Sequence, residues 1–375
     1  MVLASETYLK CSQCWYEVHD ENQVNLLLTG GCPRCGGLLL VKYRKPVFKV
    51  KKNERGVWRY SLLPFFKNKV TLGEGLTPVS RVEGVLVKNE KFNPTGLYSD
   101  RASALISSFL RDTGVGEVYV EYSEEFTKSL VHYLTGVSLH VVAGSIFEID
   151  PEDIMLFASK GLKIVHEFPK SSTIVQYENP LTVEGLKTIV FELYEQGVKA
   201  ENVVVPAKSG VLALSIYKGV DDLNEAGIET GFQVTAATPK GFNPRILRSL
   251  RGVKVIEVSE AELYEAYMKL LRKGFKIKPL AALSYYVAEV TGNSVAVVTM
   301  GYKARTTGRE SSVKKLVLDI VSRKPLVTAY EIWKEKPVYT LRAVYKAVKS
   351  MELSGELCFE VRTRGVRKIK LYKLC

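Results

Sequence analysis

The segment from Val85 to Leu110 constrains this chain more than any other. An apolar strand, Val85-Leu86-Val87, runs through a polar stretch into Asn93-Pro94-Thr95-Gly96, which has the composition of a turn. Asp100-Arg101 then opens a helical pattern, Ala102 to Leu110, with Leu105, Ile106 and Phe109 on one face. The same strand-then-helix order recurs downstream. Val118 to Tyr122 reads as a strand and Ser123 to Leu134 as a helix. Leu139 to Ala143, Lys163 to His166, Val203 to Pro206, Phe232 to Ala236, Lys254 to Val258 and Val295 to Met300 read as further strands set between helical segments. This alternation predicts an α/β fold with parallel or mixed sheets and helices on both faces.

A chain of 375 residues, 46% hydrophobic, has material for two or three domains. No run of about 18 apolar residues appears, so neither a membrane span nor a membrane partner is expected. The first residues, Met1 to Cys11, lack the basic and then apolar order of a signal peptide, and the expected location is cytoplasmic. Charge is uneven. Ser312 to Cys375 holds 15 Lys and Arg against 6 Asp and Glu, a net of +9 out of the chain's +13. A basic block at one end points to a polyanion, most simply nucleic acid, with a merely solvated lysine-rich surface as the alternative.

Cys11, Cys14, Cys32 and Cys35 form C-x₂-C-x₁₇-C-x₂-C, a zinc-ribbon spacing. Two such knuckles present four thiolates to one ion, and a set with no open position is structural. A disulfide reading is weak for a chain expected in the cytoplasm. Cys358 and Cys375 are too distant in sequence to read as ligands.

The motifs together resemble those of threonine synthase and related pyridoxal-phosphate (PLP) enzymes of fold type II. The resemblance runs from about residue 8 to 304. It includes the ribbon, Trp58-Arg59-Tyr60, the loop Leu72-Gly73-Glu74-Gly75-Leu76-Thr77-Pro78, the NPTG turn followed by Asp100-Arg101, and the segment Asn179-Pro180 through Glu184-Gly185-Leu186-Lys187-Thr188 to Glu192. It implies a two-subdomain α/β body with a cofactor cleft lined by Asn93, Thr95, Ser99, Lys208, Ser209, Gly210 and Thr299. Three cofactor contacts of the family are altered. Ser99 occupies the place of the lysine that forms the Schiff base, and a hydroxyl cannot form an imine with an aldehyde. Tyr122, Ser123, Glu124, Glu125 and Phe126 stand where the family has the segment whose asparagine meets the ring oxygen, and two carboxylates beside that oxygen disfavour PLP. Ala207-Lys208-Ser209-Gly210-Val211 keeps one glycine of the phosphate loop. It reads as a plain strand-to-helix turn, with a weak anion site as the alternative. Thr299 matches the hydroxyl that faces the pyridine nitrogen, or else caps a strand end. On this basis PLP is not expected, and structural zinc is.

Residues 312–375 lie outside that resemblance. Val313, Leu316, Val317, Ile320 and Val321 mark an amphipathic helix, and Pro325 ends it. Thr328 caps a helix from Ala329 to Lys336, and Thr340 caps a third from Leu341 to Met351. The third helix's apolar face is read as Leu341, Val344, Tyr345, Val348 and Met351. Leu357 to Arg362 and Arg367 to Leu374 alternate as two strands. Three helices and a basic hairpin resemble a winged helix–turn–helix domain. That likeness implies Thr340, Arg342, Ala343 and Lys346 at DNA bases or phosphates, and Arg362, Arg364, Arg367 and Lys368 on the wing.

The expected domains are a zinc ribbon (1–45), a threonine synthase-like α/β region (46–310) and a winged helix (311–375). The expected function is a DNA-binding transcription regulator on a catalytically inactive scaffold. It would work as a homodimer on double-stranded DNA, with the old cleft open to a small-molecule or anion ligand. The alternatives are a PLP-dependent threonine synthase or related lyase that retains activity, and a protein-interaction scaffold.

Overall fold

The structure, a computed structural model, describes residues 6–19, 24–275, 277–300, 312–353, 357–364 and 367–374. Its contacts divide the chain into two compact units, Met1–Tyr302 and Lys303–Cys375.

The first unit begins with a small antiparallel sheet. Strand β1 (Thr7–Cys11) pairs with β2 (Glu17–Val18) and β3 (Leu39–Tyr43), and helix α1 (Val24–Thr29) lies between them in sequence. Two larger sheets follow. In the six-stranded one, β4 (Val79–Val82) is antiparallel to β5 (Val85–Asn89). The other neighbours are parallel: β5 with β13 (Ser294–Val298), then β10 (Asn202–Pro206), β11 (Gln233–Pro239) and β12 (Val253–Val258). The four-stranded sheet is parallel throughout, in the order β8 (Lys163–Val165), β7 (Ser138–Val142), β6 (Glu117–Glu121) and β9 (Ile174–Val175).

Alternation along the central strands explains why both faces of the larger sheet are covered. Val203 and Val205 of β10 enter one apolar cluster together with residues of α5 (Pro180–Glu195) and α6 (Val211–Glu225). Val204 between them enters a second cluster, with α8 (Glu260–Arg272) and α9 (Ala282–Thr291). Strands buried on both faces read as unbroken apolar runs, as Val203-Val204-Val205 does. The smaller sheet packs with α2 (Asp100–Thr113), α3 (Glu124–Tyr133) and α4 (Pro151–Ser159), and α7 (Arg245–Ser249) follows β11.

Helix α5 is almost wholly enclosed, buried at every residue from Pro180 to Leu193. Asn179 caps it by accepting from Thr182 N (2.7 Å), and Pro180 takes the first position, where no donor is lost. Gly185 lets α2 approach closely, because a Cβ there would sit 2.5 Å from the Arg101 carbonyl oxygen. No helix among the described residues is long and apolar enough to cross a membrane.

The second unit has three helices, α10 (Ser312–Arg323), α11 (Ala329–Glu335) and α12 (Leu341–Leu353), and a hairpin of β14 (Leu357–Arg364) and β15 (Arg367–Leu374). Thr328 and Glu331 form a reciprocal capping box at α11. Val327 bridges Tyr372 and so adds a short third edge to the hairpin. Val317, Ile320, Ile332, Val344, Val348 and Met351 fill the core. Tyr345 is a correction to the expected apolar face: it is 52% exposed, and Ala347 is buried instead. A 3.6-residue period gives a stripe wider than one core contact, and its edge residue stays in water.

Candidate functional site

Four elements converge at the N-terminus of α2. The Tyr98 N–H donates to the Thr299 carbonyl (3.0 Å), and Leu97 bridges Met300, so the end of β13 lies against the start of the helix. Ser99 is fully buried, and its hydroxyl donates to the Glu125 carbonyl (2.9 Å), which ties in the start of α3. The phenol oxygens of Tyr98 and Tyr177 lie 2.7 Å apart. The Tyr177 ring stands edge-on to Phe126, with centroids at 5.3 Å. Lys208, on the loop between β10 and α6, is near enough to the Glu125 carboxyl to act on its ionisation.

Glu125 is the group with chemistry to offer. Burial pushes its carboxyl up to about 7, against the opposing pull of the Tyr98 hydrogen bond and of Lys128 and Lys208. The Tyr98 and Tyr177 phenols are themselves raised, chiefly by burial, which for Tyr177 outweighs the opposing Tyr98 hydrogen bond. A carboxyl raised toward neutrality, close to a buried phenol, has the makings of an acid–base pair. The sequence reading took Glu125 only as a poor neighbour for a cofactor oxygen, and it passed over Tyr98 and Tyr177. Tyr98 sits inside the motif and Tyr177 opens the next one, but nothing in the spacing shows that their oxygens meet.

The other expected cleft residues divide. Ser99 and Thr299 lie together at this point. Asn93 is locked in a turn, where it accepts from Gly75 N (2.8 Å) and donates to Glu90 Oε2 (2.8 Å). Thr95 binds Asp100 through its N–H (2.7 Å) and its hydroxyl. Ser209 accepts from Val211 N (3.4 Å) at the start of α6. Gly210 has φ +92°, and a Cβ there would press on Ile246 and Leu247 at 3.1 Å, so both conformation and space call for glycine.

Behind the cleft lies a buried ionic framework. Arg101 donates to both oxygens of Glu90 (2.7 and 2.8 Å) and of Glu192 (2.6 and 2.9 Å), and also to Thr188 (3.0 Å). Lys88 adds a bond to Glu192 (2.7 Å). Burial alone would raise the Glu192 carboxyl, but Arg101 and Lys88 outweigh it and hold it at about 2. The loop from Thr71 to Pro78 hangs on this framework: Leu76 N donates to Glu192 (2.7 Å), and the Thr77 hydroxyl donates to Glu90 (2.7 Å).

In the small N-terminal sheet, the sulfurs of Cys11, Cys14, Cys32 and Cys35 all lie within 4.8 Å of one another and could hold a metal ion. Gln13 N and Gly37 N donate to Cys11 and Cys35 sulfur, each at 3.4 Å. In the second unit, Thr340 caps α12 through Ala343 N (3.2 Å), and Arg342, Lys346 and Arg362 are exposed. Arg364 and Arg367 are cross-strand partners, and Lys368 pairs with Thr363. The intervening Gly365 and Val366 lie outside the described residues.

This architecture has relatives. Residues 117–300 match a family model described as pyridoxal-phosphate dependent enzyme. Threonine synthase of Methanosarcina acetivorans is 25% identical over 311 residues, covering 74% of this chain and 75% of that one. The Methanocaldococcus jannaschii threonine synthase is 27% identical over 248 residues, and there the match spans 61% of the relative. Serine racemase from Dictyostelium discoideum shares the fold, with TM-score 0.51 and 16% identity over 61% of this chain and 92% of that one. A PLP-dependent aspartate racemase does so at TM-score 0.51 and 15% identity, over 66% and 99%.

These likenesses overturn two expectations. The reading of the chain as a DNA-binding regulator rather than an enzyme does not hold, because the family and the curated relatives are enzymes. A hydroxyl at position 99 does not by itself show that catalysis is absent, and the relatives are enzymes. PLP is the cofactor to which the family points. Yet the residues here do not fit PLP held as an imine, since Ser99 has no amine and its hydroxyl is occupied by the Glu125 carbonyl.

The raised carboxyl predicts a pH signature. A group whose pKa rises on folding binds its proton more tightly in the folded state, so stability falls as pH climbs from about 4.5 to about 7. Glu125→Gln should flatten that fall in denaturant midpoints measured on either side of the window. An unchanged slope would count against a raised Glu125.

Proposed function

We propose that the α/β body is an enzyme of the PLP-dependent, threonine synthase-like kind, acting on a small amino-acid substrate in the cleft at the start of α2. The observation that carries this reading is the similarity to threonine synthase along 311 residues. In this reading Ser99 stands where the relatives have their lysine, so no covalent tie forms at that position. Proton transfer falls to Glu125 and Tyr98. Lys208 and the N-terminal amides of α6 offer positive charge to an anionic group. The test is threonine formation by the intact chain supplied with PLP. Activity should appear, and Glu125→Gln should lower it by roughly 10²-fold or more, the usual contribution of a general acid–base group. No threonine from the unsubstituted chain would sink the reading.

For the four cysteines we propose structural zinc. In a tetrahedral S₄ site with bonds of about 2.3 Å the sulfurs stand about 3.8 Å apart. The cysteine sulfurs here approach to 3.5–3.8 Å in three of their pairs. Elemental analysis should find one zinc per chain, lost together with thermal stability in Cys32→Ser. A metal-free protein of undiminished stability would refute this.

For the C-terminal unit, taken alone, we propose a winged helix with duplex DNA as its partner. Exposed Arg342, Lys346 and Arg362, in a stretch from Ser312 to Cys375 of net charge +9, support it. Arg342→Ala and Lys346→Ala should each weaken binding to duplex fragments and lower the salt slope by about one. Absence of binding by the full chain even at low salt would exclude this partner.

A further inference from the structure

Residues 47–51 run as an extended segment beside residues 59–61. Lys51 N donates to the Arg59 carbonyl (2.7 Å), Ser61 N donates to the Lys49 carbonyl (3.1 Å), and Val50 bridges Tyr60. Extended backbone alternates its side chains between two faces. The inner face holds Phe48, stacked on Tyr60 at 5.9 Å and tilted against Phe191 at 5.1 Å. Val50 packs into the same cluster. The outer face therefore carries Val47, Lys49 and Lys51, all exposed.

That outer face forms one wall of a cavity of about 540 Å³. Trp58, only 4% exposed, also lines it and is held by its indole N–H to the Val70 carbonyl (2.8 Å). Phe65, 65% exposed, belongs to the same lining, next to buried Phe66. Lys45 and Lys69 complete a lining of four ammonium groups, against a single carboxylate, Glu6. Lys69 is paired with Glu54 (3.0 Å) and lies 5.9 Å from the Trp58 ring centroid. Lys45, Lys49 and Lys51 have no ion-pair partner among the described residues.

We propose that this cavity is a binding site for a nucleotide, with the polyphosphate on Lys49 and Lys51 and the base against Phe65. Three features favour that occupant. The volume lies in the range of small-ligand pockets, roughly 300–1,000 Å³. Two lysines on one face of an extended segment stand about 6.8 Å apart, a separation a polyphosphate chain bridges. An exposed aromatic ring beside cationic groups is the combination that stacks a base while holding its phosphates. The site belongs to the connection between the small sheet and the α/β body, and it is independent of the cleft at Ser99.

The test is calorimetric titration of the full chain at low salt with ATP and, in parallel, with inorganic triphosphate. ATP should bind, and more tightly than triphosphate. The Lys49→Ala/Lys51→Ala double variant should lose about tenfold or more in affinity for both probes. Phe65→Ala should reduce ATP binding to the level of triphosphate while leaving triphosphate unchanged, a difference that general unfolding would not produce. No ATP binding by the unsubstituted chain would overturn the proposal, as would affinity indifferent to the lysine substitutions. An oligonucleotide that binds far more tightly than ATP would also overturn it, assigning the groove to single-stranded nucleic acid.

Discussion

Arg101 is the group on which the α/β body depends. It is fully buried, and every N–H of its guanidinium is spent on Glu90, Glu192, Thr188 or Thr77. Those partners belong to the turn after β5, to α5 and to the loop before β4, so one planar cation joins three separate stretches of chain. Donating in bidentate fashion to two carboxylates requires a guanidinium, since a lysine offers neither the fork nor the donor count. Breaking one partner of such a buried set costs about 3–5 kcal/mol, because a charge is left unpaired in low dielectric. The cleft begins two residues before this arginine. Its geometry is in effect cantilevered from the framework behind it.

Helix α5 carries a second such set a turn or two away from the first. Lys187 and Lys218 share Asp222 and Glu184 in full burial, and Tyr43 of β3 reaches the Glu184 carboxyl. This second set fastens the small N-terminal sheet to α5 and α6. Charges on one buried helix therefore hold the cysteine-bearing sheet on one side and the cleft on the other. The motif from Glu184 through Lys187 and Thr188 to Glu192 is in this light chiefly architectural. Its charged residues face each other, and its glycine admits α2.

The expected elements were legible because their signals are local. Apolar runs such as Val203-Val204-Val205 and the caps at Thr328 and Thr340 declare strands and helices without knowledge of the fold. The four-cysteine cluster was legible for the same reason, since spacing within two knuckles decides it. Tyr345 was misplaced because helical periodicity defines a stripe and only packing decides where its edge falls. The cleft was read less well. Asn93 and Thr95 looked like cofactor contacts by position in a motif, whereas their side chains are consumed by Gly75, Glu90 and Asp100.

The sequence by itself determined the α/β class, the basic C-terminal unit, the thiol cluster and the absence of an amine at position 99, since each is a property of neighbouring residues or of composition. Only the tertiary structure decided what stands in the cleft. Tyr98, Glu125 and Tyr177 come from three segments, and it is their packing around the Glu125 carboxyl that raises it. The lysine-lined cavity follows the same rule. Alternation sorts Lys49 and Lys51 from Phe48 and Val50, but the wall that turns an exposed edge into a site is supplied by Phe65 and Trp58 from the next segment. Ionisation and enclosure are collective properties of packed atoms, and no single stretch of chain contains them.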